Sequence, residues 1–145
     1  MVLNDNQERA LLLIQKYQYL KGRAKRQKEK AIEIRENAAS IHGNLTGDRV
    51  QTSFSGHSKI ENAVVMAQSI EEDAKDCEAR ALKLKEEILG LLSRIDDIER
   101  KVIIGHYFKR MTIRAVAEKV ERGERQVHRI RKNALEHIGE LMIVD

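Results

Sequence analysis

The sequence predicts an all-α protein, with a long antiparallel, alanine-rich helical hairpin followed by a three-helix domain of helix-turn-helix type. Three observations carry this expectation. Apolar residues recur with a seven-residue period over residues 3–91. Proline is absent and aromatics make up 3% of the chain, so nothing breaks a helix sterically and no bulky core is available. Charged residues reach 34%, which suits long solvated helices, and no segment alternates as a strand would.

The first helix is expected over about residues 4–42. Leu3, Ala10, Tyr17, Ala24, Ala31 and Ala38 form one row; Leu13, Leu20, Gln27, Ile34 and Ile41 form the other, three residues on. Asn4 or Asp5 is placed to cap its start and Gly43 to end it. Residues 43–58 carry three Gly and three Ser without periodicity and are expected to form a loop. Ser58 then reads as an N-cap, with Glu61 completing a capping box. The second helix, about 59–89, repeats the pattern. Ile60, Ala67, Ala74, Ala81 and Ile88 form one row and Ala63, Ile70, Cys77, Leu84 and Leu91 the other. Small rows facing larger ones let two helices pack closely, so residues 1–91 are expected to form the hairpin. Gln27 in the seam is read as a register device and Cys77 as a small buried hydrophobe.

Charge is distributed in blocks. Residues 16–35 carry a local charge of +6, residues 59–99 of −5 and residues 109–132 of +6. The first two blocks suit helices that face each other, and the third suits a polyanion. The first helix outruns its partner, which leaves Leu3, Leu13, Tyr17 and Leu20 near its start as a strip needing cover. A homodimer through the N-terminal helix and packing against the C-terminal domain are the two ways to cover it.

Residues 92–145 read as three short helices. Ser93 is placed to cap the first, with Asp96 and Asp97 in its opening turn, and Ile95, Ile98, Val102 and Ile103 facing inward. Lys109-Arg110-Met111 forms a turn, after which Thr112 caps a second helix through Val120. Glu121-Arg122-Gly123 forms the next turn, and the third helix runs from Glu124 to about Leu141. Val127, Ile130, Ala134, Leu135 and Ile138 give it an inward face. A short helix, a three-residue turn and a longer helix with basic residues near its start is the helix-turn-helix arrangement, which points to double-stranded DNA as the partner. With the core side fixed, Arg125, His128, Arg129 and Lys132 form an outward stripe of long donors, joined by Gln126 if it turns to the groove; these five are the candidate base readers. Lys109, Arg110, Thr112, Arg114, Arg122 and Arg131 flank the stripe as candidate phosphate contacts.

The run Thr112, Val116, Ala117, Val120, Arg125, Gln126, Val127, His128, Arg129, Ile130, Ala134 and Leu135 resembles region 4 of the sigma-70 factors. It is more closely similar to phage and prophage regulators of the ArpU/RinA type. Those proteins also tend to have two N-terminal helices around a Gly/Ser loop, and a helix start like Asp96-Asp97-Ile98-Glu99-Arg100. The resemblance implies a regulator of phage late-gene transcription acting at promoter DNA, with host RNA polymerase as a further partner. Three positions depart from the pattern. Glu121 stands where a turn Gly is usual, Gly123 where a Ser cap is usual, and Ile113 where an aromatic is usual. Gly123 is expected to take the left-handed conformation that Glu121 would adopt at a cost of about 1 kcal/mol.

Other function classes find little footing. The five histidines (His42, His57, His106, His128 and His137) lack metal-ligand spacing and there is one Cys, so no metal or cofactor is expected. No Gly-rich phosphate loop follows a strand, and no carboxylates share a pocket, so an enzyme is not expected. No apolar run reaches the roughly 18 residues of a membrane span, and the single Cys fits a reducing cytoplasm. The remaining alternative is a helical adaptor whose sigma-like end binds RNA polymerase or another protein without reading DNA.

Overall fold

The computed structural model describes residues 2–45 and 50–144, and no strand occurs among them. The helices are α1 (Asp5–Leu45), α2 (Val50–Leu92), α3 (Asp97–Ile103), α4 (Ile113–Val120) and α5 (Glu124–Val144). A single π turn over Ile104–Phe108 continues α3.

The start of α1 follows from its cap. Asn4 Oδ1 accepts the Gln7 backbone N–H at 2.9 Å, and Gln7 Oε1 accepts the Asn4 N–H at 3.0 Å. Two donors that a helix start leaves unsatisfied are thereby paired reciprocally, so Asn4, not Asp5, is the cap. Both long helices exceed the expected bounds. α1 continues through Gly43 to Leu45, and α2 starts at Val50 and runs past Leu89 to Leu92. The loop expected over 43–58 is therefore helical at both ends, while residues 46–49 lie outside the described residues. Ser58 lies inside α2 and is not its N-cap. Glycine costs a helix interior about 1 kcal/mol but blocks nothing, whereas a proline would remove a hydrogen bond and clash. This chain has none.

The described chain divides into two compact units, Gln18–Leu82 and Met1–Tyr17 with Lys83–Asp145. The division cuts across the boundary expected at residue 91, because the first turns of α1 group with the C-terminal helices. In Gln18–Leu82, Ala24, Ala31 and Ala38 of α1 and Ala67, Ala74, Cys77 and Ala81 of α2 are buried. Lys28 pairs with Glu78, and Arg35 with Glu71 at 2.8 Å. Seven residues forward on α1 meet seven residues back on α2, so the two helices run in opposite senses within this unit. Gln27 donates to Asp73 at 2.8 Å, and Arg23 meets the same carboxylate at 3.2 Å. The hydrogen bond from Gln27 is the main reason the Asp73 carboxyl lies below its ordinary range. Gln27 thus does what a polar seam residue does best, binding one partner in one register.

In the other unit, Val102, Val116, Ala117 and Val127 form a core, with Met111, Ile113, Val120 and Ile130 packed against it. Gly105 permits the close approach of α4, since a Cβ there would lie 3.3 Å from Val116 Cγ2. The first turns of α1 bury Ala10, Ile14 and Tyr17, and the Tyr17 ring lies 5.6 Å from that of Phe108. Leu3 and Leu13 are half-buried, and Leu20, in the first unit, is 4% exposed. The strip assigned to an oligomer interface (Leu3, Leu13, Tyr17 and Leu20) is thus largely covered within one chain. The physical reason is proximity, because a covalently tethered apolar surface outcompetes a second copy at ordinary concentrations.

Ser93 is not the cap of α3. α2 extends to Leu92, and Ser93 Oγ donates back to the Gly90 carbonyl at 2.6 Å. Asp96 occupies the cap position of α3 without a side-chain cap bond. The intervening turn is held by Arg100, which donates to the carbonyls of Leu92 at 2.9 Å and Ile95 at 3.2 Å. These are among the acceptors that a helix end leaves orphaned.

Candidate nucleic-acid interface

The site is built on α4, the turn after it and α5. Thr112 caps α4 as expected, its hydroxyl accepting the Ala115 N–H at 3.1 Å. That bond uses a lone pair of the hydroxyl oxygen, so Thr112 positions α4 while its O–H is left to donate to a phosphate. The turns on either side of α4 each use a left-handed residue that is not glycine, Arg110 at φ 55 and Glu121 at φ 57. Glu121 therefore adopts the strained conformation itself, and Gly123, whose φ is not positive, does not take it over. Gly123 instead heads α5. Its carbonyl accepts the Val127 N–H at 3.0 Å, and its N–H donates to Gln126 Oε1 at 3.4 Å.

A Glu121→Gly change is accordingly expected to raise stability by about 0.5–1 kcal/mol. Removing a left-handed penalty of about 1–2 kcal/mol outweighs roughly 0.5–1 kcal/mol of added chain entropy. Urea unfolding measures this, and a lower midpoint for the variant would contradict it.

Among the candidate base readers, Arg125, Gln126, His128 and Arg129 are exposed and Lys132 is half-buried. Val127, Ala134 and Ile138, on the opposite side of α5, are at most 2% exposed. The buried row thus fixes the rotation of the helix and leaves Arg125, His128 and Arg129 facing outward. Gln126 departs from the expectation in part, because its carboxamide oxygen is used on Gly123.

Of the candidate phosphate contacts, Lys109, Arg110, Arg114 and Arg122 are exposed. Arg114 is the most open, with 82% of its side chain exposed and Glu118 at 4.0 Å. Arg131 belongs elsewhere. It is half-buried and hydrogen-bonds the Tyr107 hydroxyl, whose pKa is pushed up chiefly by burial and partly drawn back by Arg131. Its place on α5, one residue from Ile130, turns it to the inner flank of the helix, which spacing from the basic stripe alone did not reveal.

Sequence reasoning also missed Lys119. Its ammonium is held below its ordinary range by Lys109 first, with a smaller contribution from Lys101. Lys101 is on α3, Lys109 follows the π turn and Lys119 is on α4, so three elements bring like charges to one surface. Such a surface favours a polyanion. No local pattern flags Lys119, because its neighbours are distant in sequence.

The other charged feature of this unit is internal. Glu99 is 5% exposed, and its carboxylate meets His137 Nδ1 at 2.7 and 2.9 Å. Burial pushes the Glu99 carboxyl up, against the pull of His137. The Glu99 hydrogen bond in turn raises His137.

The first turn of α1 reaches the far end of α5. Gln7 Nε2 donates to the Lys132 carbonyl at 3.0 Å, Asn6 donates to Glu136 at 2.9 Å, and Asn4 also donates to Glu136. At Gly139 the approach is closer than any side chain allows, since a Cβ there would fall 2.1 Å from the Asn6 carbonyl oxygen.

Among the described residues, no helix is long and apolar enough to cross a membrane. No curated protein and no solved structure gives a significant match to the chain. Residues 9–140 match the family described as "Protein of unknown function (DUF722)", and the chain belongs to that family.

Proposed function

We propose that this protein is a sequence-specific DNA-binding transcriptional regulator, with α4, the turn 121–123 and α5 acting as a helix-turn-helix like region 4 of the sigma-70 factors. In this reading α5 docks in the major groove. Arg125 and Arg129 read guanine edges, His128 contributes a further donor, and Lys109, Arg110, Arg114 and Arg122 hold phosphates. The observation that carries it is the exposed row Arg125, His128 and Arg129, set opposite a buried row that locks the rotation of the helix. α1 and α2 form an antiparallel hairpin in this proposal. The resemblance to ArpU/RinA-type regulators supports phage or prophage late genes as the targets and RNA polymerase as a further partner.

Anisotropy of a labelled random duplex across a salt series tests the DNA reading. About four phosphate contacts, those of Lys109, Arg110, Arg114 and Arg122, give a log–log slope of about −3.6. Absence of binding at low salt would remove DNA as the ligand and leave the protein-binding adaptor. Within that series, Arg114→Ala is expected to weaken all sequences alike and to reduce the slope by about one. An unchanged slope would take Arg114 off the phosphate backbone.

A further inference from the structure

The reading face of α5 does not end at Lys132. On a helical wheel of about 100° per residue, Arg125, His128, Arg129, Lys132, Glu136 and Gly139 all fall within an arc of about 100°. The N-terminal part of that face is open, with Arg125, His128 and Arg129 exposed. The C-terminal part lies under the first turn of α1, through Gln7 on the Lys132 carbonyl, Asn6 and Asn4 on Glu136, and the backbone of Asn6 against Gly139. Lys132 stands at the border and is half-buried. Asp5 and Glu8 are exposed in that same first turn of α1, so the cover carries negative charge of its own.

We infer that the capped first turn of α1 is a built-in stop that confines DNA to the N-terminal half of the α5 reading face and keeps Lys132 out of the interface. The inference rests on the DNA reading proposed above and adds what limits it. From Arg125 to Lys132 the helix rises roughly 10 Å, about three base-pair steps of roughly 3.4 Å. Beyond that point a duplex would meet the α1 backbone sterically and the Asp5 and Glu8 carboxylates electrostatically. The same residues that cap α1 hold it on α5: Asn4 and Gln7 satisfy each other's backbone while their remaining amide hydrogens go to Glu136 and the Lys132 carbonyl. Placement of the stop and order at the helix start are therefore one structure.

Two releases of the stop are available. Gly139→Ala puts a Cβ where the Asn6 carbonyl now lies and so forces the turn away from α5. Gln7→Glu keeps the acceptor that caps Asn4, since Glu serves that position well, but removes the donor to the Lys132 carbonyl. The measurement is the affinity of the full chain for a labelled random-sequence duplex at low salt, with and without Lys132→Ala in each background. Lys132→Ala is expected to cost less than about twofold in the otherwise native chain and at least about fivefold in the Gly139→Ala and Gln7→Glu chains. Melting curves establish that each variant is folded, and Gln7→Glu, which adds no bulk, decides the matter if Gly139→Ala is not. An equal cost of Lys132→Ala in all backgrounds overturns the stop. The native chain itself is the control: if it does not bind the duplex at low salt, the DNA reading fails, and the stop fails with it.

Discussion

Replacing Arg125 and Arg129 together by alanine is expected to cost about 2–6 kcal/mol of specific DNA binding, from about 1–3 kcal/mol for each bidentate base contact. The folded state should be untouched, since both side chains are exposed and the buried row beneath them, Val127, Ala134 and Ile138, is left as it is. The two arginines lie four residues apart on α5, one turn along the same side, so in the proposed docking they would face base pairs about two steps apart. Removing them takes away both the charge and the planar donor pairs that discriminate guanine, and lysine at either position would restore only the charge. The measurement is competition between a duplex selected by the native chain and random duplex. The double variant should lose most of the preference and retain part of the salt-dependent, sequence-independent binding through Lys109, Arg110, Arg114 and Arg122. A variant with unchanged preference would show that this face of α5 does not meet bases.

The second large effect is on stability and its pH dependence. Glu99 is buried, and its main partner is His137, whose side chain is about half exposed. Both groups have pKa values raised in the folded state, Glu99 by burial first and His137 by the Glu99 hydrogen bond first. A raised folded value means that the native state holds its proton more tightly than the unfolded chain. The stabilisation is therefore complete below the unfolded values, 4.5 for Glu99 and 6.5 for His137, and is lost as pH rises through the folded ones. Once His137 loses its proton, a buried carboxylate faces a neutral ring. Asp96 and Glu140, both of which raise His137, and Glu136 near it, give no relief because they are also negative.

The melting temperature of the native chain is accordingly expected to fall from about pH 6 to 9. His137→Ala should lower it at pH 6 by the equivalent of about 1–3 kcal/mol, the cost of leaving a buried polar group without its partner, and should flatten the profile. The half-open position of His137 keeps the figure below the range for a fully buried pair. If native and variant chains show the same pH profile, the Glu99–His137 pair carries none of the dependence.

Legibility in the sequence tracked how local each feature is. The Thr112 cap, the turns around 109–111 and 121–123 and the inward row Val127, Ala134 and Ile138 need only a few neighbouring residues, and all were readable. The helix bounds at Gly43 and Ser58 were misread because Gly and Ser are weak breakers. Serine and glycine cost a helix interior about 1 kcal/mol or less and interrupt none of its hydrogen bonds. Glu121 was misread for a related reason. A penalty of about 1 kcal/mol argues against a left-handed glutamate, but a turn fixed by packing on both sides tolerates it.

Composition, heptad spacing and the turn chemistry were enough to specify an all-helical chain with long N-terminal helices, short C-terminal ones and a basic face on the last. They work because helix propensity, caps and amphipathic period are set by residues within one or two turns of each other. What lies over that basic face was decided by tertiary structure. Asn6 meets Glu136 across 130 residues of sequence, Arg131 turns inward to Tyr107, and the N-terminal strip that looked like an interface is largely covered by its own chain, with Tyr17 and Leu20 buried and Leu3 and Leu13 half-buried. Such contacts depend on which surfaces find each other once the helices exist, and a period of seven carries no record of that choice.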